Sequence, residues 1–281
     1  MDFLEEPLTL PGDGAMGTEL INAGIPMGSC FEELCVSEPD RIAGIHESYI
    51  KAGARVIRTN SFGANANRLA KFGYENRVNE FNWAAAQIAQ QCARGTGVYV
   101  AGSVGPLGIT KTSDSEIIFR EQIGALLEGG VQLIFLETFT DPEELALAFY
   151  IKQSLHHCPT ICSLACTPDG RFPSGTTLAS ALEKLRDLGA DLVGVNCVNG
   201  MEAMSQLCRE TAGIESAYPN AGLPKKSSEG RWIYPTTPDE FSKMTSELVQ
   251  TGVRLIGGCC GMGPLHIEAM SRALKKIENP C

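Results

Sequence analysis

The sequence contains no apolar run approaching the ~20 residues that a membrane-spanning helix requires, and no low-complexity segment or linker that would divide it. Neither a membrane helix nor a string of loosely joined modules is expected. The first ten residues include Asp2, Glu5 and Glu6 and lack both a basic start and a long apolar stretch, so no secretory leader is expected. Basic residues are scarce: 23 Lys and Arg against 33 Asp and Glu leave a net charge of −10, which repels nucleic acid. A cytoplasmic protein is the resulting expectation.

What is present suits a globular chain. At 281 residues, 43% hydrophobic and 20% charged, the composition excludes disorder and suffices for one large domain. Eleven cysteines are many. Their odd number, their spread and the missing leader argue against a secreted disulfide scaffold, so some of them are free for chemistry.

One phrase recurs in phase: a helical stretch, a glycine, a branched apolar run, and a polar residue seven places after the glycine. It joins Gly53 to Asn60, Gly130 to Glu137, Gly189 to Asn196 and Gly252 to Cys259. The glycine reads as a left-handed residue just past a helix, and the apolar run as a strand buried on both faces. The helices that feed these glycines show core spacing, as in Ile42, Ile45 and Tyr49, in Leu178, Leu182 and Leu185, and in Phe241, Met244 and Leu248. Pro39 and Pro142 suit first helical turns. Further strands are expected at Leu8 to Leu10, Val98 to Ala101, Thr160 to Ala165 and Ile214 to Tyr218. Eight strands alternating with helices predict an α/β fold, a single-domain (β/α)8 TIM barrel over residues 1–281, with an open doubly wound sheet as the alternative. In the barrel the polar residues at the strand ends converge on one site. Two longer irregular stretches remain, 103–115 and 219–238. The second holds Trp232 and Tyr234, and reads as a substrate-facing lid or as a surface loop.

Three groups of residues imitate sites. Gly12-Asp-Gly14-Ala-Met-Gly17 matches a dinucleotide fingerprint, but Pro11 interrupts the preceding strand and Asp13 would face a pyrophosphate. Cys158, Cys162 and Cys166, preceded by His156 and His157, have a metal-like spacing, yet the segment reads as a strand whose cysteines are small core residues. Cys92 and Cys208 fall on helical patterns, Cys30 and Cys35 have no evident partner, and Cys281 lies at the terminus.

The remaining cysteines differ. Cys197 ends the sixth expected strand, and Cys259 and Cys260 end the eighth, 62 residues later, at a corner marked by Gly257, Gly258 and Gly261. Three thiolates converging there can hold a tetrahedral Zn2+ with one position open, which is a catalytic rather than a structural arrangement. A thiol substrate fitting that position is kept in its nucleophilic form. A packed vicinal pair or a redox disulfide is the competing reading. His266, just beyond, reads as a helix start rather than a fourth ligand.

Six segments in order, Gly12-Asp-Gly-Ala-Met-Gly-Thr-Glu-Leu20, Arg58-Thr-Asn-Ser-Phe-Gly-Ala-Asn65, Ala101-Gly-Ser-Val-Gly-Pro-Leu-Gly108, Gly194-Val-Asn-Cys197, Pro219-Asn-Ala-Gly-Leu-Pro224 and Gly257-Gly-Cys-Cys-Gly261, together resemble the homocysteine S-methyltransferase family. The stretch 60–74 looks most like the homocysteine-binding zinc barrel of cobalamin-dependent methionine synthase. The resemblance implies zinc held by Cys197, Cys259 and Cys260, with homocysteine sulfur as the fourth ligand and methionine as product. It implies Asp13 and Glu137 as catalytic acidic residues gripping the substrate amino group. Thr59, Asn60, Ser61 and Asn196 complete the expected substrate-binding set. The implied partners are homocysteine and a methyl donor, either a methylcorrinoid protein or S-methylmethionine. No cobalamin-binding motif is present, so a corrinoid is expected to arrive on another protein. Betaine is disfavoured, because Gly63 and Thr138 stand where aromatic faces around a quaternary ammonium are expected. The alternatives are a subunit that activates homocysteine for a separate corrinoid protein, or a methyltransferase for another small thiol or selenol.

Overall fold

Each of the four phased glycines follows a helix in the left-handed conformation in the computed structural model, which describes residues 3–6, 9–108, 113–226 and 232–278. Gly53, Gly130, Gly189 and Gly252 have φ of 98°, 86°, 95° and 91°, a region that costs glycine little. They follow the helices Pro39–Lys51, Ser115–Glu128, Leu178–Asp187 and Pro238–Gln250. Pro39 and Pro142 open their helices as expected, and the Asp141 side chain caps the second through the Glu143 amide.

The strands are β1 (Leu10–Pro11), β2 (Val56–Arg58), β3 (Tyr99–Val104), β4 (Leu133–Phe139), β5 (Thr160–Leu164), β6 (Leu192–Asn196), β7 (Ser216–Tyr218), β8 (Lys225–Lys226), β9 (Trp232–Ile233) and β10 (Leu255–Ile256). Eight of them form one parallel sheet in the order β1-β10-β7-β6-β5-β4-β3-β2. A parallel bridge from Gly12 to Val56 and a hydrogen bond donated by the Arg55 backbone amide to the Pro11 carbonyl (2.7 Å) join its two edges, so the sheet is a closed barrel. Proline is tolerated in β1 because the ladder uses its carbonyl, not the missing N–H. Strands β8 and β9 form a separate antiparallel hairpin inside the expected lid.

Several strand limits differ from expectation. The first strand begins at Leu10, with Leu8 outside the described residues; the third runs on to Val104; the fifth stops at Leu164; the seventh starts at Ser216. Gly102 and Ser103 hid the longer β3. A side chain on Gly102 would crowd Ile134 and Leu126, so its place in a strand comes from close packing rather than propensity.

Alternation along the strands divides the core. Val56, Ala101, Phe135, Ile161, Leu192, Tyr218 and Leu255 fill the barrel interior, whereas Ile57, Val100, Ile134, Cys162, Val193 and Ile256 pack outward with the surrounding helices. Continuing the inward period by two residues brings Arg58, Ser103 and Glu137 to the C-terminal mouth, where barrels build their sites. Among the described residues no helix is long and apolar enough to cross a membrane.

Candidate active site

Two strand ends deliver the three cysteines. Cys197 follows the last residue of β6 in a left-handed conformation, φ 58°, with its amide donating to the Tyr218 carbonyl at 2.9 Å. The amide of Cys259 donates to Pro219, and that of Cys260 to the Asn220 side chain at 3.1 Å. Asn220 also donates to the Cys197 carbonyl, at 3.1 Å, and so ties both cysteine-bearing loops together. The three sulfurs lie within 4.8 Å of one another, and they are the one His/Cys/Asp/Glu group among the described residues able to hold a metal ion. Their protons are shared. Hydrogen bonds from Cys197 and then Cys259 lower Cys260 to about 3. Cys197 is raised by the bonds it donates to Cys259 and Cys260 and by burial. Cys259 is pushed up to about 11, since its bond to Cys260 and its burial outweigh the bond it receives from Cys197. A metal cation held among the three sulfurs would favour the thiolate form of each.

Beneath the trio lies a buried charged hub that the sequence reading passed over. The Arg58 guanidinium donates to Asp13 Oδ1 (Nε, 2.8 Å), Glu137 Oε2 (Nη1, 2.6 Å) and the carbonyls of Gly14 and Gly258 (Nη2, 2.9 and 3.0 Å). Its backbone amide donates to Asp13 Oδ2 (2.7 Å), and Ser103 Oγ donates to Glu137 Oε1 (2.5 Å). The guanidinium also stacks 4.5 Å from the centre of the Tyr218 ring. Two carboxylates against one guanidinium leave one net negative charge. Burial raises Asp13 to about 6 against the pull of Arg58, and raises Glu137 likewise. Arg58 stays protonated: burial opposes its charge, but Asp13 and Glu137 more than compensate. The inward alternation from Val56 to Arg58 was the available signal, because an arginine facing a barrel interior needs acidic partners.

A cavity of about 410 Å³ connects hub and trio, with Asp13, Arg58, Glu137, Cys197, Cys259 and Cys260 all in its wall. Thr59, Asn60 and Ser61 line it too, though much of their polarity is spent internally. Thr59 Oγ1 and Ser61 Oγ are 2.6 Å apart, and Ser61 donates to the Ser103 carbonyl. Asn60 Nδ2 donates to the Phe31 carbonyl (2.7 Å) and to Cys35 Sγ (3.5 Å), which gives Cys35 the partner that spacing alone did not reveal. Asn196 is fully buried and outside the cavity wall, with both ends of its carboxamide on Thr138. Phe31, Phe62 and Tyr234 supply aromatic surface to the cavity, although Gly63 and Thr138 do not. Tyr234 comes from the 219–238 stretch, of which 227–231 lie outside the described residues.

The imitations resolve as packing. A Cβ on Gly12 would lie 2.1 Å from Tyr218 Oη, and one on Gly14 2.2 Å from the Met262 carbonyl, so these glycines serve close approach rather than a phosphate. Cys162 is fully buried on the outer face of β5, Cys208 is buried in a helix, and His266 caps the Gly263 amide at the start of the last helix. Cys281 lies outside the described residues.

Comparison with known proteins adds to this geometry. A methionine synthase of Mycobacterium tuberculosis is 31% identical over 307 aligned positions, which cover 100% of this chain and 26% of that protein. That of Mycobacterium leprae is 30% identical, covering 95% and 24%. This chain spans about a quarter of the length of these relatives. In fold it is similar to the metallated homocysteine methyltransferase MmuM from Escherichia coli, with a TM-score of 0.79 at 23% identity, covering 96% of this chain and 97% of that one. The family model for homocysteine S-methyltransferase matches residues 11–274, the whole barrel from closing strand to final helix, and the chain belongs to that family.

Proposed function

We propose that residues 1–281 form one zinc-dependent homocysteine S-methyltransferase domain, which methylates the homocysteine sulfur to give methionine. The observation that carries this reading is the placement of three cysteine sulfurs within 4.8 Å of one another in the wall of a cavity that also holds a hub with one net negative charge. Three soft donors with room for a fourth ligand suit Zn2+. Bound there, zinc supplies acidity to the substrate thiol, so that the sulfur is nucleophilic at neutral pH.

The chain's own residues do the rest. Asp13 and Glu137 receive the substrate ammonium; each of their oxygens already accepts one bond and keeps a lone pair for another. Arg58 fixes both carboxylates and stays charged. Thr59, Asn60 and Ser61 shape the wall toward the substrate's amino-acid moiety and the donor. In the transfer, a new S–CH3 bond forms as the bond from methyl to donor breaks, and the thiol proton leaves to solvent. Orientation of the two reactants in the cavity is the protein's contribution.

Two donors meet this chemistry, a methylcorrinoid protein and the sulfonium S-methylmethionine, and turnover with S-methylmethionine alone separates them. Zinc and homocysteine binding without such turnover favours the corrinoid route. Competition binding exposes a preference for another small thiol or selenol. The free thiols of all ten described cysteines suit the reducing cytoplasm.

The deciding experiment is zinc content with zinc-edge X-ray absorption, with and without homocysteine. A change from three sulfur neighbours and one lighter atom to four sulfurs is expected. Absence of zinc after reconstitution, or an unchanged shell, overturns the reading.

A further inference from the structure

Among the described residues only two that are not glycine have positive φ: Thr138 at 64° and Cys197 at 58°. Both border one side chain. Asn196, the residue before Cys197, accepts a hydrogen bond from the Thr138 amide on Oδ1 (2.9 Å) and donates from Nδ2 to Thr138 Oγ1 (2.6 Å). Thr138 itself follows Glu137. It also sits in a bulge, because β4 and β5 pair Leu136 with Cys162 and Phe139 with Leu164, leaving Glu137 and Thr138 opposite Ser163 alone. Bulges re-aim side chains next to sites, and a left-handed β-branched residue stays in one only when its surroundings hold it there.

We infer that Asn196 is a positioning residue that locks the strand end presenting Glu137 to the strand end presenting Cys197. It does not touch substrate. Its carboxamide is committed at both ends to Thr138, it is fully buried, and the cavity wall contains Thr138 and Cys197 but not Asn196. Without the clamp, Thr138 relaxes toward an extended conformation, the bulge straightens, and Glu137 turns away from Arg58 and Ser103. The same loss removes the tie from Thr138 to the residue next to Cys197, whose left-handed backbone is then held only by its bonds to Tyr218 and Asn220. One side chain thus couples the grip on the substrate amino group to the geometry of the metal ligand, a role that rests on the function proposed above.

The test compares the native chain with Asn196→Ala and with the double variant Asn196→Ala, Thr138→Gly. Glycine takes a φ near +64° without help, so it removes the need for the clamp. Three quantities are measured: exchange protection of the residue-138 amide in the ligand-free chain, Zn2+ affinity by chelator competition, and homocysteine affinity by calorimetry. Asn196→Ala is expected to lose the amide protection and to weaken zinc roughly 10–100-fold, as removal of a group supporting a ligand does, with homocysteine weakened in parallel. The added Thr138→Gly is expected to recover a large part of both affinities. Failure to recover either, or unchanged protection and affinities in Asn196→Ala, overturns the inference. Should Asn196→Ala not fold, Thr138→Val and Thr138→Gly carry the test. Valine keeps the strain and loses the hydroxyl, so it must weaken both affinities more than glycine does. A native chain that binds neither zinc nor homocysteine sinks the proposed function instead, and the amide-exchange comparison still judges the clamp.

Discussion

Cys162 and Cys259 belong to the same barrel, and burial pushes both thiols upward. Cys162 sits in the middle of β5, faces outward, and is surrounded by apolar side chains of the layer beneath the helices. Cys259 lies just past β10 with two other sulfurs beside it. The cluster that is dense in sequence, Cys158 to Cys166, packs in or against the core; the one assembled from positions 62 residues apart lines the cavity. A strand's middle offers its residue to a packed layer, and only its C-terminal end offers it to residues from other strands.

The sharpest way to break this comparison is Cys259→Ser. Metal content is expected to fall from one zinc per chain to near zero, and methyl transfer by on the order of 10³-fold, as expected when several kcal/mol of metal assistance are lost. Retention of zinc and rate would equate the two cysteines. Next in size is the buried hub against the surface. Arg58→Met leaves Asp13 and Glu137 unpaired in the interior and is expected to cost about 3–5 kcal/mol in chemical denaturation, whereas Arg171→Met, whose pair with Asp169 is more than half exposed, is expected to leave the denaturation midpoint unchanged.

A pH series separates charge from packing. Asp13, raised to about 6 in the fold from an ordinary 3.8, keeps its proton below that value. The neutral form loses its attraction for an ammonium, so homocysteine affinity is expected to fall roughly tenfold between pH 7 and 5. Stability moves the opposite way. A folded-state value above the unfolded one contributes stability that is fully present below about 4 and is lost as pH rises through about 6. Weaker binding without weaker folding therefore marks Asp13 titration, and Asp13→Asn flattens the binding profile. The smallest effect is Cys162→Ala, expected to cost about 1 kcal/mol through a small void, with zinc retained, as thermal unfolding and metal analysis would report.

The sequence exposed the parts of this molecule that follow a period. The glycine-to-polar phrase located four strand ends because helix termination and double-sided burial repeat with each βα unit, and all four glycines take the conformation it requires. The cysteine trio was legible because two of those ends carry sulfur. Arg58 was not read, although it stands in the phrase between Val56 and Asn60: its role depends on partners 45 and 79 residues away, Asp13 and Glu137. Asn196 was read as a substrate ligand from its place at a strand end, and its engagement with Thr138 depends on a bulge that no local pattern announces. Asn220 likewise gave no signal of its link between the two cysteine loops.

Arg58 also reaches the Gly258 carbonyl, 200 residues further along the chain. The hub cannot be completed until the last strand has been made, and contacts of such long range form slowly. At ribosomal speeds of about 5–20 residues per second, Cys259 emerges roughly 3–12 seconds after Cys197. During that interval the nascent barrel carries two acids and a guanidinium without their final setting, and a single sulfur where three are needed. Closure of the sheet and assembly of the three-sulfur group both wait on β10, so an ion held by all three sulfurs can be captured only by a chain whose synthesis has passed that strand.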